Sequence, residues 1–352
     1  MKIFKWIIGL IVVFFIVDTV YYFLKPEGMK EYRFNKDLEI IKKDWKGNLA
    51  IGGEYTNGVM RKDKQIMPLD ILKWKLSKNP QAKEKKEENY KLKVINDNSF
   101  ISSKEDMIVW LGHASFFIRL NGTTFITDPI FYDITFIKRL AGLPCAISDF
   151  KGIDYVLLSH GHRDHFDKKT LKQLFRNNPE IEALIPLDMN DFFEDNNAKY
   201  QQAGWYQKYK TKSEIEVYFM PARHWNRRGM LDFNKYLWGS FVIKSKGKSI
   251  FFSGDTAYGD HFKEISNYFN EIDYSLMSIA AYMPVNIMKE THMNPDEALK
   301  AFEDLNSKVF VPMHYGTYDL SDEPLGEPIR RIESKKEKYN IEILDIGEKL
   351  EI

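Results

Sequence analysis

The sequence predicts an α/β fold with sheets covered by helices. Three observations carry this: a series of short apolar runs after residue 106, an Asn-Gly pair between the first two runs, and two helix-start signals set among the rest. In chain order the runs are MIVWLGHASFFIRL, TTFITDPIF, DYVLLSH, EALIPL, EIEVYFMPARH, WGSFVIKS, SIFFSGD, YSLMSIA and KVFVPMHYG. Short stretches rich in β-branched and aromatic residues, broken by Gly, Asn and Asp, have the pattern of strands joined by turns. Asn121 and Gly122 form the pair that a two-residue hairpin favours. Asp167 is placed to cap a helix in which Leu171, Leu174 and Phe175 share a face. Asn294, Pro295 and Glu297 form a second start signal, before Leu299, Phe302 and Leu305.

Composition narrows the function. In 352 residues, a hydrophobic fraction of 44% with 14% aromatics fills a sizeable core and excludes disorder as the dominant state. Lys and Arg number 51 against 50 acids, so a net charge of +1 supplies no global field for a polyanion, and no nucleic acid is expected as a partner. Cys145 is the only cysteine, which excludes an intramolecular disulfide and a thiolate metal cluster. Any transition-metal site must therefore be built from imidazole and carboxylate.

The chain divides into three segments. Between Lys5 and Lys25 the run WIIGLIVVFFIVDTVYYFL carries one charge, Asp18. As a helix it would cover roughly 28 Å, close to a bilayer's hydrocarbon thickness. Tyr21, Tyr22, Phe23 and Leu24 offer no small-residue cleavage site, so residues 1–25 read as an uncleaved transmembrane anchor, with Trp6, Tyr21 and Tyr22 at its interfaces. Lys2 and Lys5 precede it, and Lys25, Lys30 and Arg33 follow it, which leans towards an amino terminus inside and an extracytoplasmic remainder. Residues 26–105 form a lysine-rich extension whose stretch KNPQAKEKKEENYKLK, at 78–93, is expected to be solvated or to touch anionic lipid. Residues 106–352 form the third segment, which holds all the apolar runs of the α/β pattern.

The segment that carries chemistry is SHGHRDHFD. His160, His162, Asp164 and His165 fall within six positions, directly after the apolar run DYVLLS. Imidazole and carboxylate in that spacing, on a loop leaving a strand, can reach two neighbouring points in space, which suits two metal ions better than one. Three further runs end in His224, Asp255 and His314. One histidine after an apolar strand is ordinarily a capping or hydrogen-bonded residue; four such termini together point to a shared crevice.

HGHRDH followed by His224, the SGDT segment and PMHYG resembles the metallo-β-lactamase fold superfamily. Within it WLGHAS, TDPIF, LPCAISDF, ARHWNRR, LWGSF, SGDTAYGD, HMNPDEAL and MHYGT are most similar to the N-acyl-phosphatidylethanolamine-hydrolysing phospholipase D group, over about residues 106 to 335. The anchor and the lysine-rich stretch depart from that pattern. The resemblance implies an αββα four-layer sandwich and two Zn2+ ions, although these ligands also suit other divalent metals. It places His160, His162 and His224 on one ion and Asp164, His165 and His314 on the other. Asp255 bridges, and a hydroxide shared by the ions attacks phosphorus or a carbonyl.

Asp164 is expected to orient the hydroxide, and Asp128 to accept from a ligand imidazole. His292 matches a position near the substrate and could donate to the scissile group; otherwise it only begins the helix at NPDEAL. His113 reads as a structural histidine and His261 as a surface one. Arg227 and Arg228 could meet a substrate phosphate at the site mouth or stay solvated. Met283, Met288 and Met293 near Tyr282 could line a groove for acyl chains or pack in the core. The expected protein is a membrane-anchored dizinc phosphodiesterase acting on N-acyl phosphatidylethanolamine or a related phospholipid. The alternative is a lactonase or other phosphodiesterase with a soluble substrate. A non-catalytic metal-binding module is disfavoured because all seven ligand positions are filled, and β-lactam hydrolysis because the similar stretches belong to another branch. A homo-oligomer stays open.

Overall fold

The computed structural model describes residues 28–58, 68–229 and 232–352. The anchor expected at 1–25 lies outside them, and among the described residues no helix is long and apolar enough to cross a membrane. Two seven-stranded sheets form the body. The first runs Lys199–Ala203, Glu182–Pro186, Tyr155–Leu157, Thr123–Thr127, Ser115–Leu120, Met107–Gly112 and Lys349–Glu351. The second runs Ser307–Met313, Ile272–Ser278, Lys248–Phe252, Ser240–Ser245, Glu216–Met220, Gln207–Lys208 and Glu39–Ile40.

Strand alternation decides which residues fill which layer. From the first sheet, Ile108, Trp110, Phe116, Ile118, Phe125 and Leu157 join a cluster with Val217, Phe219, Phe241, Ile243 and Phe252 of the second. Their sequence neighbours Val109, Leu111, Phe117, Ile126, Val156 and Leu158 point the other way, against Leu171 and Leu174 of helix Lys168–Asn177. Helices His261–Phe269, Pro295–Asp304 and Glu327–Glu333 join the first cluster through Phe262, Ile265, Leu299, Phe302, Ile329 and Ile332. The layers are helix, sheet, sheet, helix.

Local signals act where expected. Leu120 pairs with Thr123 across a two-residue turn in which Asn121 and Gly122 have φ of 47° and 73°. The Asp167 carboxylate accepts from the backbone N–H groups of Lys169 and Thr170. Asn294 and Glu297 form a capping box, with Pro295 opening the helix. In the first sheet Thr123–Thr127 and Tyr155–Leu157 run parallel, as do Lys248–Phe252, Ile272–Ser278 and Ser307–Met313 in the second.

The N-terminal extension is partly woven into this body. Strands Lys30–Arg33, Asn48–Ile51 and Glu54–Tyr55 form a small sheet of their own, while Glu39–Ile40 pairs with Gln207–Lys208 and becomes the edge of the second large sheet. Helix Ala82–Glu87, inside the polar stretch, buries no residue. Tyr90 and Leu92 beyond it pack on the core, and Val94 bridges to Ile346.

Candidate metal centre

Five strands deliver polar side chains to one place from their carboxyl ends, where α/β sheets gather their sites. Thr123–Thr127 leads to Asp128, and Tyr155–Leu157 leads to the loop with His160, His162, Asp164 and His165. Glu216–Met220 leads to His224, Lys248–Phe252 to Asp255, and Ser307–Met313 to His314. The 160–166 loop closes on itself: the N–H groups of His165 and Phe166 both donate to the His162 carbonyl, at 3.2 and 2.9 Å.

Neighbouring acceptors set the direction of three of the rings. His224 Nδ1 donates to the Thr291 carbonyl at 2.9 Å, which leaves the lone pair of Nε2 facing inward. Asp128 is fully buried and accepts from His165 Nδ1 at 2.7 Å, from Ser159 N–H at 2.7 Å and from the Ser159 hydroxyl at 2.5 Å. With its proton committed to Asp128, that hydroxyl accepts from His160 Nδ1 at 2.9 Å. One carboxylate therefore orients two imidazoles, each with Nε2 turned into the crevice.

The inward atoms form two triads. His162 Nδ1 stands 2.9 Å from His160 Nε2 and 3.1 Å from His224 Nε2. His165 Nε2 and His314 Nε2 are 3.2 Å apart, with Asp164 Oδ2 at 3.5 and 3.7 Å from them. Asp255 lies between the triads. Its Oδ2 is 3.2 Å from His165 Nε2 and 3.9 Å from His224 Nε2, while its Oδ1 is 3.1 Å from His314 Nε2. Ligand atoms held at ~2.0–2.1 Å around a tetrahedral ion stand about 3.3 Å from one another. The Asp255 Oδ1 atom is buried and has no hydrogen-bond partner. These spacings, and an oxygen that meets His314 Nε2 without a hydrogen bond, fit a bound cation, and the His and Asp groups could hold metal ions.

Charge follows the same division. Burial holds His160 and His224 well below the usual imidazole range and His162 down to about 4, so all three are neutral donors. Burial also opposes charge on His165 and His314, but Asp255 and Asp164 outweigh it, lifting His165 well above its ordinary value and His314 to about 9. Burial would raise Asp164 and Asp255; the surrounding histidines, His165 foremost, hold both well below the carboxylate range instead. Two ionised carboxylates inside a protein require positive charge beside them.

The remaining expected residues fall at graded distances. His292 Nδ1 is buried without a hydrogen-bond partner, 3.8 Å from Asp255 Oδ2, and its ring centre is 5.3 Å from that of His224. His113 holds the turn after Met107–Gly112, where its carbonyl accepts from Trp110 Nε1 and from His314 N–H at 2.9 and 3.0 Å. Its ring also reaches Asp164, with Nε2 3.2 Å from Oδ2. Met293 is core, whereas Met283 and Met288 are half-buried. Arg227 is half-buried, and its Nε donates to the Gly229 carbonyl at 3.0 Å.

Two expectations are corrected. Arg228 is not simply solvated: its Nη1 donates to the carbonyls of Gly161 and Phe166 at 3.0 and 2.6 Å, with the guanidinium over the Phe166 ring, so it braces the loop that carries the histidines. His261 is not a surface residue but 1% exposed, its Nε2 3.1 Å from the Thr256 hydroxyl. It shares the inward face of its helix with Phe262, Ile265 and Phe269. The sequence reading also missed Ser159 and the Thr291 carbonyl. Ser159 directly precedes His160 and could have been suspected; a carbonyl acceptor leaves no mark in a sequence.

With the geometry in hand, similarity to known proteins becomes informative. Residues 123–315 match the model of the Beta-lactamase superfamily domain. The chain belongs to the beta-lactamase superfamily. It is 29% identical over 242 residues to N-acyl-phosphatidylethanolamine-hydrolyzing phospholipase D 1 of Caenorhabditis elegans, covering 64% of this chain and 68% of that one. It is 32% identical over 236 residues to the mitochondrial N-acyl-phosphatidylethanolamine-hydrolyzing phospholipase D of Saccharomyces cerevisiae, covering 64% of this chain but only 50% of the yeast protein. The fold is shared with Igni18, a metallo hydrolase from Ignicoccus hospitalis, at a TM-score of 0.55 and 18% identity over 71% of this chain and 99% of that one. This chain is a metal-dependent hydrolase of the superfamily.

The buried His261 makes a pH prediction. Burial, with Arg223 nearby, lowers it to about 3, against ~6.5 in the unfolded chain. Between those values the unfolded chain holds more protons, so the stability associated with neutral His261 is complete above ~6.5 and is lost as pH falls towards 3. His261→Gln is expected to flatten the acid limb of the stability curve by up to ~1.4 kcal/mol per pH unit, read by urea unfolding from about pH 7 to about pH 4. An unchanged slope would show that His261 is protonated without cost.

Proposed function

We propose that the chain is a dizinc phosphodiesterase that hydrolyses N-acyl phosphatidylethanolamine or a related phospholipid in the manner of a phospholipase D. Residues 1–25 would tether it to the membrane that holds its substrate. The observation that carries the reading is the arrangement of seven donors as two triads with Asp255 between them. His160, His162 and His224 would hold one ion, Asp164, His165 and His314 the other, and Asp255 both. The names of the worm and yeast relatives support the substrate class.

When bound, the two cations lower the pKa of water towards ~7 and neutralise charge that develops on the attacked group. The chain's own residues set the geometry of the attack. Asp164, whose Oδ2 lies 3.2 Å from His113 Nε2, would orient the attacking water. His292 is lowered by burial to about 4 and so is neutral at pH 7, where it offers a hydrogen bond, not a full proton, to the scissile group or the leaving oxygen. Hydrolysis at phosphorus on the head-group side would release the head group as an alcohol and leave the phosphate on the lipid. Arg227, whose Nε donates to the Gly229 carbonyl, would be the candidate for a phosphate contact from the ARHWNRR segment.

Asp255→Asn and His162→Ala are expected to abolish hydrolysis of bis-p-nitrophenyl phosphate. On N-acyl phosphatidylethanolamine the wild-type chain should release head group and no fatty acid. Release of fatty acid, or full activity after metal removal, would contradict the reading. Deleting residues 1–25 is expected to move the protein from the membrane pellet to the supernatant after a carbonate wash, and persistence in the pellet would exclude that segment as the sole tether.

A further inference from the structure

We propose that Asn57, in the N-terminal extension, is a positioning residue for the metal ligand His224, so that the extension is a working part of the metal site. The proposal rests on the reading of His224 as a ligand. Beyond strand Glu216–Met220 the chain leaves the sheet, and one side chain takes both backbone groups of His224. Asn57 Nδ2 donates to the His224 carbonyl at 2.9 Å, and the His224 N–H donates to Asn57 Oδ1 at 3.2 Å. A side-chain amide thus does what a neighbouring strand would do. With the ring fixed at Nδ1 by the Thr291 carbonyl, His224 is held at its backbone and at its far nitrogen, which leaves Nε2 one direction to face.

Asn57 can serve this purpose because it is itself held. It is buried and lies two residues beyond strand Glu54–Tyr55, whose sheet includes Asn48–Ile51 and Lys30–Arg33. Tyr55 exchanges bonds with Asn234: its N–H donates to the Asn234 carbonyl at 2.7 Å, and Asn234 Nδ2 donates to the Tyr55 carbonyl at 3.2 Å. Asn234 Oδ1 accepts from the Asn226 N–H at 2.9 Å. Asn226 Oδ1 in turn accepts from the Gly161 N–H at 3.0 Å, between His160 and His162. That oxygen sits so close that a Cβ at Gly161 would stand 2.7 Å from it. Asparagine amides thus connect the extension to the His224 backbone directly and, through Tyr55, Asn234 and Asn226, to the Gly161 N–H between His160 and His162.

Full-length wild type, Asn57→Ala, Asn57→Asp and Thr56→Ala, each stripped and titrated with Zn2+ against a chromophoric chelator, test this. Asn57→Asp keeps the size and the acceptor for the His224 N–H but sets an oxygen against the His224 carbonyl. Both Asn57 variants are expected to stay folded by circular dichroism and gel filtration and to bind one of two zinc equivalents roughly ten- to a hundredfold more weakly, the other unchanged. Thr56→Ala, whose hydroxyl bonds only nearby backbone, should match wild type. Wild-type affinity in both Asn57 variants overturns the proposal. So does equal weakening of both equivalents, or loss of folded structure in both variants, since a residue acting through His224 leaves the sheets intact. A wild-type chain that binds no zinc overturns the ligand reading itself.

Discussion

Buried negative charge is the constraint on which the rest of this structure depends. Asp128, Asp164 and Asp255 all lie within one small region of the interior and within reach of His165. Carboxylates there are costly unless hydrogen bonds or cations compensate them. Asp128 is compensated by donors, from Ser159 and His165. Asp164 and Asp255 face imidazole nitrogens, and Asp255 keeps an oxygen with no hydrogen-bond partner. That difference separates the carboxylate that orients ligands from the two that call for positive charge.

The fold meets this constraint through topology. Strands of two sheets end at the same crevice, so residues far apart in sequence arrive on rigid elements, and positional error stays small. The loops beyond those strands are the weak link, because a loop has no ladder to hold it. Here two of them are visibly braced: the 160–166 loop by Arg228 on its carbonyls and by His113 on Asp164, and the His224 segment by Thr291 and Asn57. These braces account for polar groups around the centre that belong to neither triad.

What could be read from the sequence was local. Three His and an Asp crowded into six positions after one apolar strand stand out in the sequence itself, and the hairpin at Asn121 and Gly122 and the caps at Asp167 and Asn294 depend on residues within a few positions. The failures are of two kinds. His261 could have been placed correctly, since Phe262, Ile265 and Phe269 put it on the buried side of one helix. Arg228 and Asn57 could not, because their partners are main-chain groups more than sixty residues away, and every residue offers the same carbonyl. The edge strand Glu39–Ile40 was hidden for the same reason, being two residues long and defined only by its neighbour.

Membership in the superfamily gives the fold and the class of chemistry, while substrate rests on the site and on what can reach it. The central claim is that seven side chains on four loops hold a pair of cations. It is tested most directly by anomalous X-ray scattering at the zinc edge from crystals of the purified chain. The account predicts two peaks, one among His160, His162 and His224 and one among Asp164, His165 and His314, with Asp255 touching both. A single peak, or a pair that leaves Asp255 uncoordinated, would contradict it.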